Sequence, residues 1–372
     1  MSYSSVPGHR SMALDRVRNN AYAAALERVV TPASVVLDLG AGLGIHGLLA
    51  ARLGAKRVYL VEPEDVISIA EEAVRANQLE DVVQCLHGRL EDIHIPEPVD
   101  VIVSVLTGNL LMSEDLLPIL FRARDTFLKP GGAMVPDRAE IVVAPVSAPR
   151  LHAREISNWS DPQHGITLES ARAYAANAVH FRWDRAEVAY LAAPGSIHRV
   201  DLASAAYEGL HADAEFRIHT AELCHGFAGW FTMRLGGRWA STAPDAEPMH
   251  WSAAFLPLDP PVALSVGDTV TLRLDRAPFG DWTWRASWPG GTQRHSTMLA
   301  APMKASTLRK AALDYMPVLS ADGDAAQFVL GCSNGSMPVK AIAAGVLEQW
   351  PNKYRTSEEA SRFVRSIVKQ FA

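Results

Sequence analysis

Over the first 145 residues, short runs of β-branched and apolar residues alternate with stretches of helical spacing. VVLDLG (35–40), RVYLVEP (57–63), VVQCLHG (82–88), VDVIVSVL (99–106) and GAMVPDRAEIVVAP (132–145) have the length and residue types of strands. Between them, 44–53, 65–77 and 115–127 read as helices, and Gly54 stands where a helix C-cap belongs. Strand followed by helix, repeated, predicts a doubly wound parallel sheet covered on both faces.

Beyond Pro145 the pattern changes. DTVTLRL (268–274) and WTWRASW (282–288) alternate with period two between Gly, Pro and Asp clusters, which predicts an antiparallel β-barrel-like domain. An irregular insertion is expected at about 150–190. From about residue 306 helical spacing returns: AIAAGVLEQW (341–350) reads as a helix. Thr356 and Glu359 form a capping box ahead of Ala360, Phe363, Val364, Ile367, Val368 and Phe371 on one amphipathic face. The expected organisation is N-terminal helices over 1–30, a Rossmann-like domain over 31–145, a barrel-like domain over 146–305 and a small helical unit over 306–372.

The 372-residue length suits several domains. With 48% hydrophobic and 20% charged residues, neither a disordered chain nor a fibre fits. A net charge of −6 argues against bulk attraction to nucleic acid or to an anionic membrane. The sequence contains neither a secretory signal pattern nor an apolar run of about 18 residues, so a cytoplasmic location is expected. Cys85, Cys224 and Cys332 lie too far apart for a metal knuckle, and the histidines show no HExxH spacing, so no metal site is expected.

The stretch VVLDLGAGLGIHG carries the chemistry. A buried strand ends at Asp38, and Gly40, Gly42 and Gly44 let the backbone turn tightly and approach a ligand at a helix N-terminus. Glu62, eighteen residues beyond Gly44 at the end of the next strand, is placed to accept from ribose hydroxyls. Gly42-x-Gly44-x-x-Gly47 formally fits a nicotinamide dinucleotide as well, although a lone match of that kind is weak. An acid at Asp38 would repel a pyrophosphate but suits an ammonium, which favours S-adenosylmethionine as cofactor.

On these motifs the first 145 residues resemble the protein arginine methyltransferases, in which a Rossmann-like domain precedes a β-barrel. HRSMALDRVRNNAY (9–22) is similar to the family's leading helix, with Met12, Asp15, Arg18 and Tyr22 in register. The resemblance implies that Arg18 binds the cofactor carboxylate, a pairing that a guanidinium favours. GRLEDI (88–93) resembles the adenine-edge segment, which implies cofactor contacts at Leu90 and Glu91. KPGGAMVPDRAEI (129–141) is similar to the family's final Rossmann strand, and MHWSAAFLPL (249–258) to its His-Trp loop, with Met249 replacing a threonine. The resemblance implies an Asp15–His250 pair, catalytic with Glu114, and a dimerisation arm at about 156–185 that includes Trp159, hence a homodimer.

The catalytic hairpin departs from the family pattern. In SVLTGNLLMSEDLL (104–117), Glu114 holds the second of two glutamate positions and Val105 the first. A guanidinium beside valine would lose a charge-assisted bond of about 1.5–3 kcal/mol. The substrate pocket of Val105, Asn109 and Trp251 is therefore expected to take another side chain of a peptide or protein. Arginine, a small metabolite, and a non-catalytic cofactor-binding scaffold remain the alternatives. Residues 328–368 resemble the PqqD-like winged-helix fold, which implies capture of a leader segment of a natural-product precursor peptide. With eight Lys/Arg against six Asp/Glu over 306–372, nucleic acid is not expected there.

Overall fold

The computed structural model describes residues 5–183 and 185–371. The chain forms two units, Met1–Pro302 and Met303–Ala372. In the first, α1 (Val6–Ala13) and α2 (Arg16–Val29) precede the sheet. Asp15 caps α2 by accepting from the Arg18 N–H at 3.0 Å, a favourable place for a carboxylate. There follow β1 (Val35–Leu39), α3 (Ile45–Arg52), β2 (Arg57–Glu62), α4 (Ile67–Ala76), β3 (Val83–His87), β4 (Val99–Ser104), α5 (Leu117–Phe127) and β5 (Leu128–Val135). The strands pair in parallel in the order β3-β2-β1-β4-β5. Strand order reverses between β1 and β4, so the crevice at their carboxyl ends is where a ligand is expected.

The sheet changes earlier than the sequence pattern suggests. Residues 132–145 do not form one Rossmann strand. The chain leaves β5 at Val135, turns through Pro136 and Asp137, and begins β6 (Arg138–Ser147), which pairs antiparallel with the later strands. Pro136 has no N–H for a ladder, and the Asp137 carboxylate accepts from Arg234 Nε at 2.9 Å, which fixes the start of β6. Then come α6 (Pro149–Glu155), α7 (Arg172–Ala175), β7 (Ala189–Tyr190), β8 (Gly195–Asp201), β9 (Leu210–Arg217), β10 (Glu222–Leu235), β11 (Arg238–Ser241), β12 (Ala254–Leu264), β13 (Thr269–Arg276), β14 (Trp282–Trp288) and β15 (Gly291–Ser296). One antiparallel sheet is built around β6 and β10, the other runs β15-β14-β13-β9. Their inner residues, among them Phe227, Phe231, Leu274 and Trp284, join the same apolar core as Leu37, Leu60 and Ile102 of the parallel sheet.

The second unit holds α8 (Ala305–Lys310), α9 (Ala321–Cys332), α10 (Val339–Gln349) and α11 (Ser357–Phe371). Ala325, Val329, Ile342, Val346, Ala360 and Val364 form its separate core. Thr356 accepts from the Glu359 N–H at 3.1 Å, but Glu359 reaches back to the Arg355 N–H at 2.7 Å, one residue farther than a capping box requires. Phe371 is exposed rather than part of the apolar face. No strand occurs among the described residues of this unit, so the wing implied by the PqqD-like resemblance is absent there.

Candidate active site

A cavity of about 530 Å³ opens where β1, β2 and β4 end. One wall is the turn after β1, in which Gly40, Gly42 and Gly44 have φ of +70°, +53° and +81°. At Gly42 a Cβ would lie 2.9 Å from Nδ1 of His9, so only glycine admits the close packing of α1 on the turn. Gly44 sits behind the turn as the left-handed N-cap of α3 and does not line the cavity.

Asp38 also lies behind the turn, which corrects the expectation that it meets an ammonium. Its Oδ2 accepts from the Gly47 N–H at 2.7 Å and ties β1 to α3. Burial pushes the carboxyl up to about 7, with the Gly47 bond opposing and nearby Glu62 adding to the shift. Glu62 faces the cavity as expected: its two oxygens accept from the Gly42 and Glu64 N–H groups at 2.9 and 3.1 Å. Each oxygen keeps a lone pair for a diol. Met12, Leu90 and Glu91 also line the cavity, Glu91 while paired with Arg122 at 2.8 Å.

Arg18 lines the same cavity, 3% exposed. Its Nη2 donates to the Met12 carbonyl at 2.6 Å, whereas buried Nη1 has no partner. A buried guanidinium nitrogen in that state calls for an anionic ligand group. Arg18 for a carboxylate, Glu62 for a ribose and the adjoining apolar wall suit S-adenosylmethionine, which carries those groups and no phosphate.

The other wall is the connection between β4 and α5. It contributes Val105, Leu106, Thr107, Asn109 and Glu114, facing His250 and Trp251 from the loop before β12. The Trp251 indole N–H donates to the Thr107 carbonyl at 2.8 Å, and the Ser252 N–H to Asn109 Oδ1 at 2.9 Å. The pair expected from sequence is formed: Asp15 Oδ2 accepts from the His250 N–H at 2.7 Å and lies 3.1 Å from Nδ1. Burial would raise the Asp15 pKa, but the bonds from His250 and Arg18 outweigh it and the net shift is downward. Burial lowers that of His250 despite the carboxylate, so the imidazole is neutral near pH 7.

Sequence reasoning missed the anchor of this wall. Asp115 has φ of +51°, and Leu110 and Leu111 are also in the left-handed region, sparsely populated by such residues. Arg276 of β13 grips the Asp115 carboxylate with Nη1 at 2.7 Å and Nη2 at 2.5 Å. The Tyr207 hydroxyl and the Phe279 N–H donate to it as well. The Arg276 bonds, followed by that of Tyr207, hold the Asp115 pKa at about 2, below its ordinary 3.8. A folded pKa below the unfolded one gives stability that is complete above the unfolded value and fades as pH falls toward the folded one. The Tm advantage of wild type over Asp115→Asn should thus be constant from neutrality to about pH 4 and shrink toward pH 2. An advantage that grew on acidification would refute the anchor.

The parallel sheet, its order and the glycine turn define a class I methyltransferase-type domain, here followed by an antiparallel barrel-like domain. A family model described as ribosomal protein L11 methyltransferase matches residues 22–135, and one described as arginine methyltransferase oligomerization subdomain matches 137–285. The chain is 33% identical over 283 residues to protein arginine N-methyltransferase 6 of Xenopus tropicalis, covering 72% of this chain and 83% of that protein. It is 36% identical over 255 residues to the probable protein arginine N-methyltransferase 6 of Arabidopsis thaliana, covering 66% and 58%. Among solved structures, the Trypanosoma brucei PRMT1 enzyme-prozyme complex with AdoHcy matches at TM-score 0.71 and 23% identity, covering 80% of this chain and 99% of that one. Arabidopsis thaliana protein arginine methyltransferase 10 matches at TM-score 0.67 and 24% identity, covering 79% and 99%. The chain belongs to the protein arginine methyltransferase family.

Proposed function

We propose that this chain transfers a methyl group from S-adenosylmethionine to a guanidinium nitrogen of arginine in a protein or peptide. The observation that carries this is a carboxylate, Glu114, lining one cavity together with a neutral His250 and the Trp251 ring. A guanidinium carries one positive charge, and one carboxylate balances it. The neutral imidazole adds no repulsion, and the indole offers an aromatic wall to a cation. Valine at position 105 removes a hydrogen-bond partner without removing charge balance, so it weakens capture rather than excluding arginine. The cofactor, when bound, supplies an electrophilic methyl on a sulfonium. The chain's part is to orient the acceptor nitrogen and take its proton on Glu114, with Asp15 holding His250 in place.

This reading displaces capture of a natural-product precursor through the C-terminal unit. The matching relatives bear arginine methyltransferase names, and the family models end at residue 285, before that unit begins. A homodimer through about 156–185 is part of the proposal, supported by exposed Trp159, Ile166, Leu168 and Tyr174 in that segment. Sedimentation as a monomer at micromolar concentration would speak against it. No helix among the described residues is long and apolar enough to cross a membrane.

Peptides identical but for arginine, lysine or histidine at one position test the acceptor. The arginine peptide should have the highest kcat/KM, and Val105→Glu should raise that value roughly tenfold or more by adding a charge-assisted bond. Turnover of the lysine or histidine peptide alone would overturn the arginine assignment.

A further inference from the structure

His46 is a polar side chain in an apolar place. It is the second residue of α3, 5% exposed, on the buried helix face that also carries Ala50. Its ring lies 4.5 Å from that of Tyr22 and lines the cavity, yet Nε2 has no hydrogen-bond partner. Leaving a buried nitrogen unpaired carries a desolvation cost that a leucine would avoid. Of the described cavity-lining residues, Arg18, His46 and Thr107 each carry such an unpartnered buried polar atom. Thr107 belongs to the acceptor wall, where its carbonyl holds Trp251. Arg18 and His46 come from α2 and α3, near enough that the guanidinium charge, after burial, helps lower the imidazole pKa to about 3. His46 is therefore neutral, with one N–H to donate. The first amides of α3 have no partner within the helix, and that of Gly47 is already taken by Asp38, so Arg18 and His46 carry the donors left over here.

We infer that His46 and Arg18 together bind the carboxylate at the amino-acid end of the methyl donor, His46 donating from Nε2 to one oxygen and Arg18 from Nη1 to the other. This rests on the cavity being an S-adenosylmethionine site. His46 is a cofactor-positioning residue, and the anion repays the unmade bonds of both side chains when it binds.

Calorimetry with S-adenosylhomocysteine and with 5′-methylthioadenosine, which lacks the amino-acid end, separates the possibilities. His46→Leu should raise the Kd for S-adenosylhomocysteine roughly tenfold, as expected for losing one bond to a charged group. The Kd for methylthioadenosine should not change, and His46→Gln should recover most of the loss. The Tm of ligand-free His46→Leu should equal or exceed that of wild type, because an unpaired buried nitrogen has been removed. Equal weakening of both ligands, no weakening of either, or a lower ligand-free Tm would each overturn the assignment while leaving the cavity reading intact. Wild type that binds neither ligand would overturn the cavity reading and the assignment together.

Discussion

Exchanging Glu114 for glutamine should lower kcat by roughly 10³-fold and leave the Kd for S-adenosylhomocysteine within about twofold of wild type. Glutamine keeps the shape of the side chain but removes the charge and the base that the proposed function assigns to Glu114. Loss of a positioned base costs about 10²–10⁴-fold, and the higher part applies where the same group also holds the substrate cation. Glutamine should hold the same position because the backbone around it is constrained on both sides. A Cβ on Gly108 would lie 2.9 Å from the Glu114 nitrogen, and Asp115 is gripped by Arg276. Steady-state kinetics with an arginine peptide, paired with calorimetry, check both halves. Unchanged turnover removes Glu114 from the chemistry.

Replacing Arg18 by alanine should raise the Kd for S-adenosylhomocysteine by roughly 10–150-fold, the equivalent of about 1.5–3 kcal/mol for a bond to a charged group. The effect is large because Arg18 is already oriented: Met12 and Asn19 hold Nη2 and Nε, and the guanidinium lies 5.9 Å from the Trp251 ring centroid. Little ordering cost remains to be met on binding. The loss should appear as weaker cofactor binding, with a smaller change in kcat at saturating cofactor. A Kd within twofold of wild type would place the carboxylate elsewhere.

Much of this arrangement is written in local patterns. Alternating strand and helix periods give β1 to β4 and their helices, and three spaced glycines mark the turn that lines the cavity. Resemblance along 9–22 and 249–258 brings Asp15, Arg18 and His250 together although 235 residues separate Asp15 from His250. What escaped depends on where side chains point or on pairings far apart in sequence. Asp38 reads as a ligand-facing acid, but its carboxylate turns back to the first turn of α3. The strand reading of 132–145 joins two sheets that share a strand-like composition and are divided only at Pro136. Asp115 finds Arg276 across 161 residues, a pairing that no local signal announces. His46 had a detectable signal, an ionisable residue on the face shared with Ala50, yet its meaning depends on the neighbouring Arg18. The helical reading of 306–372 holds, but the winged-helix resemblance does not extend to a wing: α9 to α11 bury their apolar faces against one another, and no strand occurs among the described residues of that unit.

The proposed function requires that the crevice beyond β1 hold a methyl donor through Arg18 and Glu62. Titration calorimetry of the full chain with S-adenosylhomocysteine tests it most directly, with a nicotinamide dinucleotide as control. S-adenosylhomocysteine should bind saturably and one-to-one, and the dinucleotide should give no heat. Heat with the dinucleotide and none with S-adenosylhomocysteine would contradict it.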